Sequence, residues 1–177
     1  MLNTYKKWCI LCVIMVLILL FILGGMIVIV DPYFHYHKPL KILSYKIYNE
    51  RYQNDGILKH FEYDAIITGT SMTENFKTSE LDHLFNVHSI KVPFSGASYK
   101  EINSNLKTAF EKKDDIKIVV RGLDYERLLD SSDEMRFNSS SYPEYLYNDE
   151  ILDDMNYIFN KYIWGKMLDS VFLYTLS

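Results

Sequence analysis

The chain has 177 residues, of which 49% are hydrophobic and 24% charged, with a net charge of −4. That length allows one domain plus an attachment. Lys6 and Lys7 are the only charges before Asp31, so the remainder carries −6 and does not look built for nucleic acid. Cys9 and Cys12 are the only cysteines, so nothing beyond them can form a disulfide.

Residues 1–8 read as a short cytoplasmic tail. From Cys9 to Val30 the chain runs 22 residues without a charge. A helix of that length crosses a hydrocarbon core of about 30 Å. A helix apolar on every face for so long rarely belongs to a soluble protein. A cleaved signal peptide has a shorter apolar core of about 7–15 residues and a small-residue cleavage site. Here the block ends in the bulky Asp31-Pro32-Tyr33-Phe34-His35. The expectation is an uncleaved signal anchor at 9–30. Lys6 and Lys7 on its N-terminal side place that end in the cytoplasm and the rest outside the cell membrane.

Residues 31–62 read as a polar, aromatic-rich juxtamembrane connector, with Pro32, Pro39 and Gly56 as breakers. His35 and His37 are two apart, but no third metal ligand lies nearby in sequence. The preferred reading is an aromatic belt at headgroup level, formed by Tyr33, Phe34, His35, Tyr36 and His37.

From residue 63 onward, strand and helix patterns alternate. The apolar run Tyr63–Thr68 predicts a strand. Thr78–Phe85 predicts a helix capped by Thr78 or Ser79. Ser89–Val92 predicts a second strand, Tyr99–Phe110 a helix with Ile102, Leu106, Ala109 and Phe110 at helical spacing, and Ile116–Val120 a third strand. A helix is expected over Glu150–Trp164. Such alternation implies a parallel sheet with helices on both faces, the three-layer α/β/α class. Between Asp124 and Asp154 stand ten acidic residues against Arg127 and Arg136, read as a solvated face. A calcium loop would need regular ligand spacing, which is missing there. Asn138-Ser139-Ser140 matches a glycosylation acceptor, which matters only in a eukaryotic secretory pathway.

In parallel sheets, functional groups gather on the loops beyond the strands' carboxyl ends. Here those loops are Gly69-Thr70-Ser71, then Pro93-Phe94-Ser95-Gly96-Ala97-Ser98, then Arg121-Gly122-Leu123-Asp124-Tyr125. A serine becomes a nucleophile when a base takes its proton and donors await the developing oxyanion. Ser71 is the candidate nucleophile. Its own N–H and that of Gly96 are the candidate oxyanion donors, since glycine lets backbone approach closely. A serine alone in a turn more often satisfies backbone groups; the convergence of three such loops is what favours a site.

These segments resemble a family. The stretch YDAIITGTSMTENF resembles the first block of the SGNH (GDSL-like) hydrolases, in which a strand delivers the nucleophilic serine. Gly96 falls where that family's second block gives a glycine to the oxyanion hole. RGLD falls where its third block, Gly-x-Asn-Asp, stands. The segments DPYFHYHKPL, ERYQNDG, VPFSGASYKEIN and RGLDYERLL are similar to membrane-anchored SGNH-like proteins of bacterial cell-surface polysaccharide loci. The resemblance covers most of residues 31–165 and implies a flavodoxin-like sheet.

Three departures stand out. The triplet is Gly-Thr-Ser, without the aspartate before serine, as in other membrane-anchored members. Asp124 replaces the expected asparagine; a carboxylate cannot donate to an oxyanion unless protonated, so its role would be different, such as pairing with Arg121. The Asp-x-x-His that supplies the family's base is missing. His35 and His37 sit near the bilayer, and His60, His83 and His88 fall away from the loops.

The resemblance therefore implies an incomplete SGNH-like domain over 63–177, with the missing part predicting a poorly stable exported portion. Its relatives would be O-acyl esterases or acyltransferases acting on surface glycopolymers, with neither metal nor organic cofactor. The other reading is a non-catalytic, membrane-anchored partner that binds glycan or a membrane acyltransferase.

Overall fold

The structure, a computed structural model, describes residues 4–129, 134–135, 143–148, 150 and 152–175. In chain order the described elements are α1 (Thr4–Val30), α2 (Glu50–His60), β1 (Ala65–Gly69), a 3-10 turn (Ser71–Asn75), α3 (Thr78–Phe85), β2 (Ser89–Pro93), α4 (Tyr99–Lys112), β3 (Ile118–Arg121), α5 (Tyr125–Leu128), a second 3-10 turn (Glu144–Leu146), α6 (Asp154–Ile158) and α7 (Lys161–Thr175). They divide into two compact units. One is drawn from Met1–Pro32, Pro39–Tyr45 and Ile151–Ser177, the other from Tyr33–Lys38 and Lys46–Glu150.

The larger unit is α/β. Its sheet is parallel, in the order β2-β1-β3. All five residues of β1 are buried, as expected of a central parallel strand covered on both faces. The chain crosses from β1 to β2 through α3, then returns past β1 to β3 through α4. α3 contacts β2, and α4 packs against α2. Ala65 and Ile67 pack with Leu81 of α3, beside Val87, Ile118 and Val120. Alternation along the strand turns Ile66 and Thr68 to the other face. Phe94, Ala97 and Ile102 form a second cluster, flanked by Tyr99 and Leu106.

α2 occupies a stretch expected to be connector. It packs against α4 and β2. Asn49 caps it, accepting from the Arg51 N–H. Its buried residues include Arg51, Gln53, Asn54 and Asp55, a polar face that carries no apolar period for a sequence reading to find. Gly56, expected as a breaker, is instead a contact: a Cβ there would collide with the Phe34 carbonyl. Tyr33 and Phe34, expected in a lipid-facing belt, are buried in this unit, at 5.1 Å from the Tyr52 ring and 5.4 Å from the Phe61 ring respectively. His35 lends its carbonyl to His60, and His37 Nδ1 lies 2.7 Å from the Lys38 carbonyl.

Local boundaries also differ from expectation: the first strand runs Ala65–Gly69 and the third Ile118–Arg121. Lys77, not Thr78 or Ser79, is the N-cap of α3, without a side-chain cap. The Phe76 N–H closes the preceding turn onto the Thr73 carbonyl, so the chain re-enters helix one residue early. The expected helix over 150–164 is divided between α6 and α7, with Asn160 accepting from the Tyr162 N–H at the break. The glycosylation acceptor and much of the acidic stretch lie outside the described residues.

In the smaller unit, α1 is long and apolar enough to cross a membrane, with a mean hydropathy of 3.3 over its most apolar window. Its C-terminal end meets α6 and α7. Buried Tyr157 donates to the buried Asp31 carboxylate at 2.6 Å, and Ile158 lies against Gly24.

Candidate functional site

Each strand's carboxyl end delivers one wall of a cavity of about 500 Å³. Thr70, Ser71 and Met72 come from the end of β1, Gly96 from the turn after β2, and Asp124, Tyr125 and Glu126 from the end of β3. The three residues singled out in the sequence, Ser71, Gly96 and Asp124, are thus brought together. Ser71 is exposed at the head of its 3-10 turn; Gly96 and Asp124 are half-buried.

The turn that carries Ser71 has a specific local cause. Gly69 ends β1 with φ of +154°, a region that favours glycine. Thr73 is fully buried; its N–H and hydroxyl both donate to the Thr70 carbonyl, at 3.0 and 2.7 Å. Its methyl fills the space left by two glycines. A Cβ on Gly69 would come within 2.6 Å of that methyl, and one on Gly122 would collide with it. The Gly122 N–H donates to Thr68, which ties the β3 loop to the β1 loop at the same point. Thr73 escaped the sequence reading because its importance comes from a contact 49 residues away, with Gly122.

The second wall is held from behind by α2. Phe94 donates its N–H to the Gly69 carbonyl at 2.9 Å, joining the first two loops directly. Gly96 takes a left-handed φ of +64° in the turn closed by the Ala97 N–H on the Phe94 carbonyl. Asn54 donates to the Pro93 carbonyl at 2.6 Å, and Arg51 to the Ser95 carbonyl at 3.0 Å. Glu50 accepts from the Ser95 N–H at 2.7 Å. Burial pushes the Glu50 carboxyl above its ordinary value; the Ser95 N–H opposes that, and the neighbouring Glu74 carboxyl adds to it. Arg51 also pairs with the fully buried Glu101 at 3.3 Å. Glu101 closes a capping box with Ser98 at the start of α4. The arrangement leaves the turn around Gly96 little freedom.

The third wall differs from expectation. Arg121 does not pair with Asp124. It donates to Asn103 at 2.8 Å and lies over the Tyr99 ring, 4.7 Å from its centroid. Asp124 instead offers its carbonyl to Tyr99 Oη and to the Leu128 N–H, starting α5. Asp124 and Glu126 both line the cavity.

No histidine lines this cavity among the described residues. His88 stands before β2, its N–H donating to Asp64 just ahead of β1, at the opposite end of the strands. His60 closes α2 and His83 lies on α3. Chemically, the site offers an exposed hydroxyl, a glycine turn of fixed shape and two carboxylates, without an imidazole to act as base. No family model matches the chain, nor does any curated protein or solved structure.

Proposed function

We propose that this chain is a membrane-anchored, SGNH-like protein of the cell envelope whose site is built for O-acyl transfer or ester hydrolysis on surface glycopolymers. The observation that carries the reading is the meeting of Ser71 and Gly96 on one cavity at the carboxyl ends of a parallel sheet. Ser71 Oγ would attack the acyl carbon, forming an acyl-enzyme while the alkoxide leaves with a proton. The N–H groups of Ser71 and Gly96 would hold the tetrahedral oxygen. Asp124 has a different task, anchoring the start of α5. A base must come from outside the described cavity, because an unassisted serine loses several orders of magnitude in rate. α1 would hold the domain on the outer face of the membrane, with Lys6 and Lys7 inside.

The same absence of an imidazole favours one rival, a non-catalytic partner that binds glycan or a membrane acyltransferase. The two readings separate in one assay. The full chain is given an activated acetyl ester, with and without added imidazole as a substitute base. Release that rises with imidazole and disappears in Ser71→Ala supports the acyl-transfer site. Release unchanged by Ser71→Ala removes it, and glycan binding insensitive to that substitution then favours the rival.

A further inference from the structure

We infer that α6 and α7 form a second membrane-contacting element, seated in the lipid leaflet at the C-terminal end of α1. The inference rests on the membrane-anchor part of the reading above, and on nothing about Ser71. Residues 23–30 of α1 are half-buried or buried apart from Met26 and Ile29; α6 and α7 both pack against this helix, and the Tyr45 hydroxyl donates to the Val30 carbonyl. Earlier residues of α1 are exposed throughout. If α6 and α7 stayed clear of the bilayer, only the uncovered stretch between Lys7 and Leu23 could span it. Those fifteen residues reach about 22 Å at 1.5 Å each, short of a hydrocarbon core of about 30 Å. The span must therefore include the stretch that α6 and α7 cover, and those helices enter the leaflet with it.

The composition of α7 fits that depth. Ile163, Met167 and Ser170 are buried, at spacings of four and three that mark one helix face. Elsewhere on the helix Tyr162, Leu168 and Phe172 are 66, 46 and 62% exposed. Trp164 is half-buried, its indole N–H fixed on the Ile158 carbonyl at 2.9 Å. Tyr and Trp favour the headgroup level, and lysines such as Lys161 and Lys166 keep their stems in apolar surroundings while the ammonium reaches water. Lys166 also pairs with Asp169 at 3.3 Å, which lowers the cost of that carboxylate near lipid. The Tyr157–Asp31 hydrogen bond pins the pair of helices to the end of α1.

The chain has two tryptophans, Trp8 on α1 and Trp164 on α7, so each can be read alone. The full chain is reconstituted into phosphatidylcholine–phosphatidylglycerol vesicles containing lipids brominated either near the headgroup or near the chain end. In Trp8→Phe, Trp164 emission should fall, and fall more with bromine near the headgroup. In Trp164→Phe, Trp8 reports whether α1 is inserted at all. Quenching of Trp8 without quenching of Trp164 overturns the inference while leaving the anchor intact. Quenching of neither overturns the anchor and the inference together.

Discussion

The methyl of Thr73 occupies the space that a Cβ on Gly122 would need. This contact couples the turn bearing Ser71 to the loop bearing Asp124, and its removal is testable in both directions. Gly122→Ala forces a methyl against a buried methyl, an overpacking that costs about 1–3 kcal/mol. Thr73→Ser keeps the hydroxyl bond to Thr70 and deletes only the obstructing carbon. The double variant should therefore recover most of the loss, with a coupling energy visible in a double-mutant cycle by denaturant unfolding. Additive losses would show that the two side chains do not meet.

A second prediction concerns the clamp on the Gly96 turn. Arg51→Met leaves Glu101 buried without its cation, which should cost about 3–5 kcal/mol. Adding Glu101→Gln removes the stranded charge while keeping an acceptor for the Ser98 N–H, so part of the loss should return. Chemical denaturation of the single and double variants checks this. A double variant less stable than Arg51→Met would mean that Glu101 matters for reasons other than the ion pair.

The third prediction follows from Asp55 on α2, which is 1% exposed. Burial raises its carboxyl above the ordinary aspartate value, against the pull of Lys59 at 2.6 Å and of His35 and His60. The folded chain thus holds this proton more tightly than the unfolded chain does. Its contribution to stability is fully present below the unfolded value of about 4 and is lost as pH rises through the higher folded value. Stability of the wild type relative to Asp55→Asn should fall as pH rises through that window. A relative gain with pH would show that the Lys59 pair outweighs burial.

The sheet was legible because β-branched residues recur in β1, β2 and β3 between breakers, and β1, the central strand, is buried along its whole length. The meeting of Ser71, Gly96 and Asp124 was legible for the same reason: strand direction alone brings those three loops to one edge. What held the loops in place was not legible. α2 buries Arg51, Gln53, Asn54 and Asp55, so it lacks the apolar stripe by which a helix is found in sequence. Arg51 and Glu101 lie fifty positions apart, and their pairing exists only once α2 and α4 pack. The division near Asn160 was missed because the apolar pattern runs across it, while the capping hydrogen bond that starts α7 there is a local choice of one side chain.

Fluorophosphonate labelling of the full chain, read by intact mass and peptide mapping, decides whether Ser71 is a nucleophile facing an oxyanion turn at Gly96. A single adduct is expected on Ser71, accelerated by added imidazole and lost in Ser71→Ala. An adduct on another residue, or none even with imidazole present, would contradict that role.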